Sequence, residues 1–190
     1  MSVAFADSAL SWDDLLATWR RLEIPEGWRP EVTLEGIHMT PPPGGTHNLI
    51  ADQVHDALTR GRPAGCGVFQ TLGVGISGIG AIYVPDLCVV PRSAVPRTSD
   101  PVVAEDVLLA VEITSRGNAE HDRKRKKWAY AHGGIPQYLL IDPFDEEGAA
   151  VSLFSEPAGG SYRRACRLAV GERIKLGEPF DIELDTDRFE

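Results

Sequence analysis

With 190 residues, 43% hydrophobic and 25% charged, the chain has the composition of one globular domain with a sizeable core, not of a disordered or fibrous protein. No apolar run approaches the roughly 18 residues that a membrane helix needs. A net charge of -9 excludes a protein that coats nucleic acid through general basicity.

The first segment, residues 10–22, predicts a helix. Ser11 suits the N-cap, Asp13 and Asp14 suit the positive end of the helix dipole, and Leu15, Leu16, Trp19 and Leu22 form one apolar face. Residues 29–39 alternate as extended chain, with Gly36 marking a bulge or turn. A Pro-Pro-Pro-Gly-Gly loop follows. A second helix is predicted over 46–60, where Ile50, Val54 and Leu58 recur at helical spacing. Residues 67–76 read as one strand, 77–80 as a turn, and 83–90 as a strand that carries Pro85 and Asp86 near its start. The run 107–114 is nearly all apolar up to Glu112, as in a strand covered on both faces. A helix over 119–132, a strand over 137–142 and an alternating tail that reads as an antiparallel meander complete the order. This is an α/β (α+β) pattern with no repeats. A single domain over 1–190 is expected, with residues 1–28 as a helical extension.

Cys66, Cys88 and Cys166 are far apart and lack metal-type spacing, so they read as free thiols. The first residues lack the basic start and long apolar centre of a signal peptide. Both points fit a reducing cytoplasm.

Asp86 and Glu112 are the informative residues. A carboxylate in a buried strand costs folding energy unless something pairs with it. A divalent metal is one such partner. Magnesium takes oxygen ligands, so two carboxylates and a backbone carbonyl, here that of Ile113, can hold it. Such a metal can activate water for phosphodiester hydrolysis, and a nearby lysine can assist. On the helix after Glu112, Asp122, Lys126 and Tyr130 are spaced by four and share a stripe. The bland readings are a strand-end cap for Asp86, a solvated face for the basic block 123–127, and a helix cap or packing role for His47.

Pro85-Asp86, Glu112 to Ser115, Asp122 to Tyr130, Gly134 to Tyr138 and Ile141 to Pro143 together resemble the bacterial Uma2 family. Leu34 to Gly36, Met39 to Pro42 and His47 extend the resemblance upstream. The family sits among restriction-endonuclease-like proteins of the PD-(D/E)xK nuclease superfamily. The resemblance implies a restriction-endonuclease-like core, a mixed sheet flanked by helices, with the β-rich tail as an addition. It implies Asp86 and Glu112 as ligands of Mg2+ (or Mn2+). The superfamily's usual lysine would fall at 114, where this chain has Thr114, and the family pattern points to Lys126 instead. Glu35, and after it Glu31, is the expected further acid.

The expected activity is metal-dependent endonucleolytic cleavage of DNA, most simply double-stranded, with Asp86, Glu112, Lys126 and Glu35 as the catalytic set. Two-fold symmetry matching the duplex would suit a homodimer, although no sequence feature specifies one. The alternatives are a catalytically inactive module of the same fold that binds nucleic acid or protein, and a hydrolase of small phosphoesters.

Overall fold

In the computed structural model, which describes residues 11–189, the chain is a mixed α/β protein. Leu10, the expected first residue of the opening helix, lies outside the described residues. Helix α1 (Trp12–Arg21) starts where the sequence says it should. The Ser11 hydroxyl accepts the Asp14 N–H at 3.2 Å and the Asp14 carboxylate accepts the Ser11 N–H at 3.0 Å, a reciprocal capping box. Its buried residue, Leu15, packs on Val32 and Ile82.

Strands β1 (Arg29–Thr33) and β2 (Gly36–Thr40) form a tight hairpin. Gly36, at φ 135, supplies the turn backbone that a side chain would resist. Helix α2 (Gly45–Gly61) follows the proline loop. Strands β3 (Cys66–Phe69) and β4 (Val74–Ile76) then correct the single strand expected over 67–76. The chain breaks at Thr71, whose φ is 58, and the two halves enter different sheets.

The same happens around Asp86. Strand β5 (Ala81–Tyr83) belongs to the smaller sheet and β6 (Leu87–Pro91) to the larger, so the expected strand 83–90 is two strands. Asp86 lies in the crossing between them. Strands β7 (Val102–Val103), β8 (Leu109–Ile113) and β9 (Gln137–Asp142) come next. Between β8 and β9, the expected helix 119–132 has two windings. A π-helical stretch over His121–Lys126 runs directly into helix α3 (Lys127–His132).

The tail contains β10 (Ala150–Ala158), β11 (Ser161–Ala169), β12 (Arg173–Leu176) and β13 (Ile182–Asp185). It is not one meander. β10 and β11 extend the large sheet, whereas β12 and β13 pair only with each other. The large sheet has the order β11-β10-β9-β8-β6-β3 and is antiparallel except for β8 beside β9. The small sheet has the order β2-β1-β5-β4-β7.

Strand alternation divides the core. Leu87, Val89, Val111 and Leu139 face α2, which answers with Ile50, Val54 and Leu58, and Ile174 and Leu184 of the β12–β13 ribbon close that side. Cys88, Ala110, Tyr138 and Leu140 face the opposite way, toward Ala129 and Tyr130 of α3. Each fully buried Leu, Ile or Val contributes roughly 1.5–3 kcal/mol. A six-residue helix such as α3 is stable only through such packing. The β10–β11 turn abuts α3 as well: a Cβ on Gly160 would lie 1.7 Å from the His132 ring.

Candidate active site

The register of β6 against β8 pairs Leu87 with Val111. One step further places Asp86 opposite Glu112. Two acids far apart in sequence therefore meet at the same end of the large sheet, as neighbours across strands. Asp86 Oδ2 accepts the Ile113 N–H at 2.7 Å. Its Oδ1 lies 3.1 Å from His47 Nε2 and is also gripped by the Arg29 guanidinium. Burial pushes the Asp86 carboxyl up, but the His47 contact and the charges of Arg29 and Lys126 together outweigh it and hold the pKa at about 2.

Glu112 points the other way through the sheet from Ile113, toward α3. The Tyr130 hydroxyl donates to its Oε1 at 2.6 Å. Lys126 Nζ lies 3.1 Å from that same oxygen, 2.7 Å from Glu31 Oε1 and 3.2 Å from Asp122 Oδ1. The π winding has a physical part in this. A step of four residues overshoots a full turn of α-helix and falls short of a full turn in the wider π-helix. The two deviations offset across the junction at Lys126, so Asp122, Lys126 and Tyr130 stay on one buried line.

Burial opposes charge on Lys126, yet Glu112, Glu31 and Asp122 raise its pKa well above the usual lysine value. The three acids differ. Burial works against the charged form of Glu31, but Lys126 and His121, 3.1 Å away, bring it down to about 2. Glu112 is pushed well up, by burial first and then by the neighbouring charges of Asp122 and Asp86, against the pull of Lys126. Asp122 is raised to about 6, again chiefly by burial. Asp122 Oδ1 meets Lys126 as an ion pair at 3.2 Å, and both Asp122 oxygens are buried without a hydrogen-bond partner. Four buried acids thus face two fixed cations, Lys126 and Arg29.

Of the sequence-derived set, the structure brings together Asp86, Glu112, Lys126 and the backbone of Ile113. It does not bring Glu35. Glu35 sits exposed in the β1–β2 turn, paired with Arg125, and Glu31 occupies the cluster instead. The turn residue Gly36 is the sequence signal that separates them: it puts Glu35 at a hairpin tip and Glu31 within a strand.

Sequence reasoning missed Arg29. It lies two positions before Glu31 on β1, so both side chains leave the strand on one face. Arg29 reaches Asp86 and Glu31 reaches Lys126.

Thr114 has a different job from the lysine it stands in for. Its hydroxyl donates to Asp142 Oδ1 at 2.7 Å, and Arg123 Nη2 reaches that same oxygen at 3.0 Å. The rest of the basic block is committed too. Lys124 pairs with Glu120 at 2.9 Å, Arg125 with Glu35, and Lys127 lies 4.8 Å over the Phe154 ring. The block is therefore divided: Lys124 and Arg125 lie on a solvated face in exposed pairs, Arg123 and Lys127 are half-buried, and Lys126 is buried.

Among the described residues no three Asp, Glu, His or Cys side chains form a ready-made metal cage. The donors that converge are hard oxygens, the kind that a hard divalent cation takes. Three cavities border the cluster at its edge, of about 380, 390 and 360 Å³, with Asp86 in the wall of the first and Glu31 in that of the third. Arg29 and His47 line the first two, and Glu31 and His121 the third.

Comparison with known proteins gives a family and a fold. A family model described as "Uma2: Putative restriction endonuclease" matches residues 16–187. Among solved structures, a crystal structure described as "a putative nuclease belonging to DUF820 from Anabaena variabilis" aligns with a TM-score of 0.70. The alignment covers 95% of this chain and 97% of that one at 18% sequence identity, a likeness that shows the shared fold. Comparison with curated proteins gave no match.

Proposed function

This chain belongs to the Uma2 family, and from that premise we propose that it is a metal-dependent endonuclease hydrolysing phosphodiester bonds in double-stranded DNA. The observation that carries the reading is the meeting of Asp86, Glu112, Lys126 and Glu31 at one end of β6 and β8. Asp86 and Glu112, with the carbonyl of Ile113, would hold Mg2+ or Mn2+. A cation bound there supplies an activated water and charge relief at the phosphate. The convergence of hard oxygen donors supports a divalent guest.

Lys126 keeps its proton because three carboxyl groups surround it. It therefore acts as a donor that orients water and Glu112, not as the base. Glu31 fixes the ammonium in place and takes the role expected of Glu35. Tyr130 fixes the second carboxylate. We place this activity in the bacterial cytoplasm. No described helix is long and apolar enough to cross a membrane. A homodimer would present two such sites to the two strands of a duplex.

The test is cleavage of supercoiled plasmid in magnesium or manganese by the wild type and by Asp86→Ala. Equal cleavage by both would sink the assignment. A second reading, an inactive module that binds nucleic acid or protein, is favoured by one observation: Thr114 is absorbed into the Asp142–Arg123 network. Manganese calorimetry separates the two. A tight site lost in Glu112→Gln argues against the inactive module.

A further inference from the structure

Arg29 and His47 converge on one oxygen of Asp86. Both also line the two cavities of about 380 and 390 Å³ that flank them. The first cavity opens on Asp86, the second on Ile113, Ser115 and the proline loop 41–43. The Arg29–Asp86–His47 bridge is thus the wall between two halves of one cleft. Each of these two partners is also incompletely used. Arg29 Nε and His47 Nδ1 are buried without a hydrogen-bond partner. A guanidinium offers five N–H donors in a planar fork. A single carboxylate oxygen leaves much of that fork unspent.

We propose that Arg29 is a phosphate-binding residue held in reserve by Asp86, released to a phosphate of the nucleic acid when a divalent cation takes the carboxylate. The proposal rests on the metal-dependent reading above. The same Asp86 oxygen cannot serve a guanidinium and a metal ion at full strength, so the two compete. The guanidinium fork matches a phosphate bidentately, so its release creates a ligand site where none was open. The backbone need not move. Arg29 is fixed on β1 by pairing with Thr40, and only its side chain would turn, toward the cavity of about 390 Å³. Metal and nucleic acid would then favour each other's binding by the same factor. If Arg29 merely compensated the buried charge of Asp86, its loss would cost stability and leave that coupling intact.

The experiment compares the wild type with Arg29→Gln and Arg29→Lys, each checked for fold by circular dichroism. Mn2+ is titrated by calorimetry. Affinity for a short labelled DNA duplex is measured with and without Ca2+, used in place of Mg2+ to hold the duplex uncut. Arg29→Gln is expected to bind Mn2+ about tenfold more tightly, because the competing cation is gone. It is also expected to lose the cation-induced gain in duplex affinity, about tenfold in the wild type. Arg29→Lys keeps the charge without the fork and should retain only part of that gain.

A folded Gln variant that binds Mn2+ no more tightly, or keeps the full gain, overturns the proposal. If that variant does not fold, a Lys variant with wild-type coupling overturns it. Absence of Mn2+ binding in every protein removes the metal reading and this inference together. Binding in the wild type without tightening in the Gln variant removes this inference alone.

Discussion

Lys126 Nζ and Glu31 Oε1 lie 2.7 Å apart, with side chains only 5% and 6% exposed. A cation from a helix is fastened to an acid from a strand of the other sheet, where water cannot screen either. Removing one member of a buried pair strands the other and typically costs about 3–5 kcal/mol. Lys126→Ala should therefore lower unfolding free energy by about that amount in denaturant titration, because Glu31, Glu112 and Asp122 all lose their shared cation. Glu35→Gln breaks only an exposed pair with Arg125 and should cost about 0–1 kcal/mol. Similar losses from the two variants would refute the choice of Glu31 over Glu35.

Glu112→Gln should make the protein more stable and less able to bind metal. Burial already disfavours the charge on Glu112, and glutamine keeps an acceptor for the Tyr130 hydroxyl. Removing a charge kept for function commonly stabilises by about 1 kcal/mol. Thermal melts at neutral pH without divalent ions should show the rise. Manganese calorimetry should show the loss of the site.

Asp122 gives a pH signature. Its carboxyl is raised from 3.8 to about 6 in the folded state, so the folded state holds the proton more tightly than the unfolded one. Its contribution to stability is full below the unfolded value and is lost as pH rises through about 6. Above that window the penalty is on the order of 3 kcal/mol. Asp122→Asn should raise the melting temperature at neutral pH and change it little in mild acid. Glu31 runs the opposite way. Its depressed carboxyl contributes above 4.5, and that stability disappears as pH falls through about 2. An Asp122→Asn variant with a wild-type pH profile would show that Asp122 carries no such penalty.

Thr114→Val should cost about 1 kcal/mol, the net worth of a buried hydrogen bond, since Asp142 loses a donor at 2.7 Å. It should leave manganese affinity unchanged, because Thr114 faces the Asp142–Arg123 network and not the cluster. A large drop in metal affinity would place Thr114 in the site after all.

The strongest site signals in the sequence were local. Asp86 and Glu112 stood out because acids interrupt apolar strands, and Lys126 because it shares a spacing of four with Asp122 and Tyr130. What could not be read was set by the meeting of distant segments. Arg29 and Glu31 matter only because β1 pairs with β5, which hands the chain across to β6. Nothing within residues 67–76 announces that the chain leaves one sheet for another at Thr71, since both halves are equally apolar. The last strands alternate as a meander would, yet β12 and β13 find α2 and not the sheet edge, because their apolar residues fit that side of the core. The basic block looked uniform in sequence. Its members differ only through partners as remote as Glu35, Asp142 and Phe154.

The π-wound stretch over His121–Lys126 makes the site sensitive to a kind of change that residue substitution does not probe. An α-helix with one residue fewer there would recover ordinary hydrogen-bond geometry and would satisfy every local preference better. Asp122 and Tyr130 would then stand seven residues apart, about two full α-helical turns, and would still share a line. The present spacing of eight, wound as plain α-helix, would instead set them about 80° apart. A one-codon deletion therefore leaves the two ends of the cluster aligned and disturbs the spacing of four that places Lys126 between them. The wide turn is what absorbs the surplus residue and keeps the chemistry in phase.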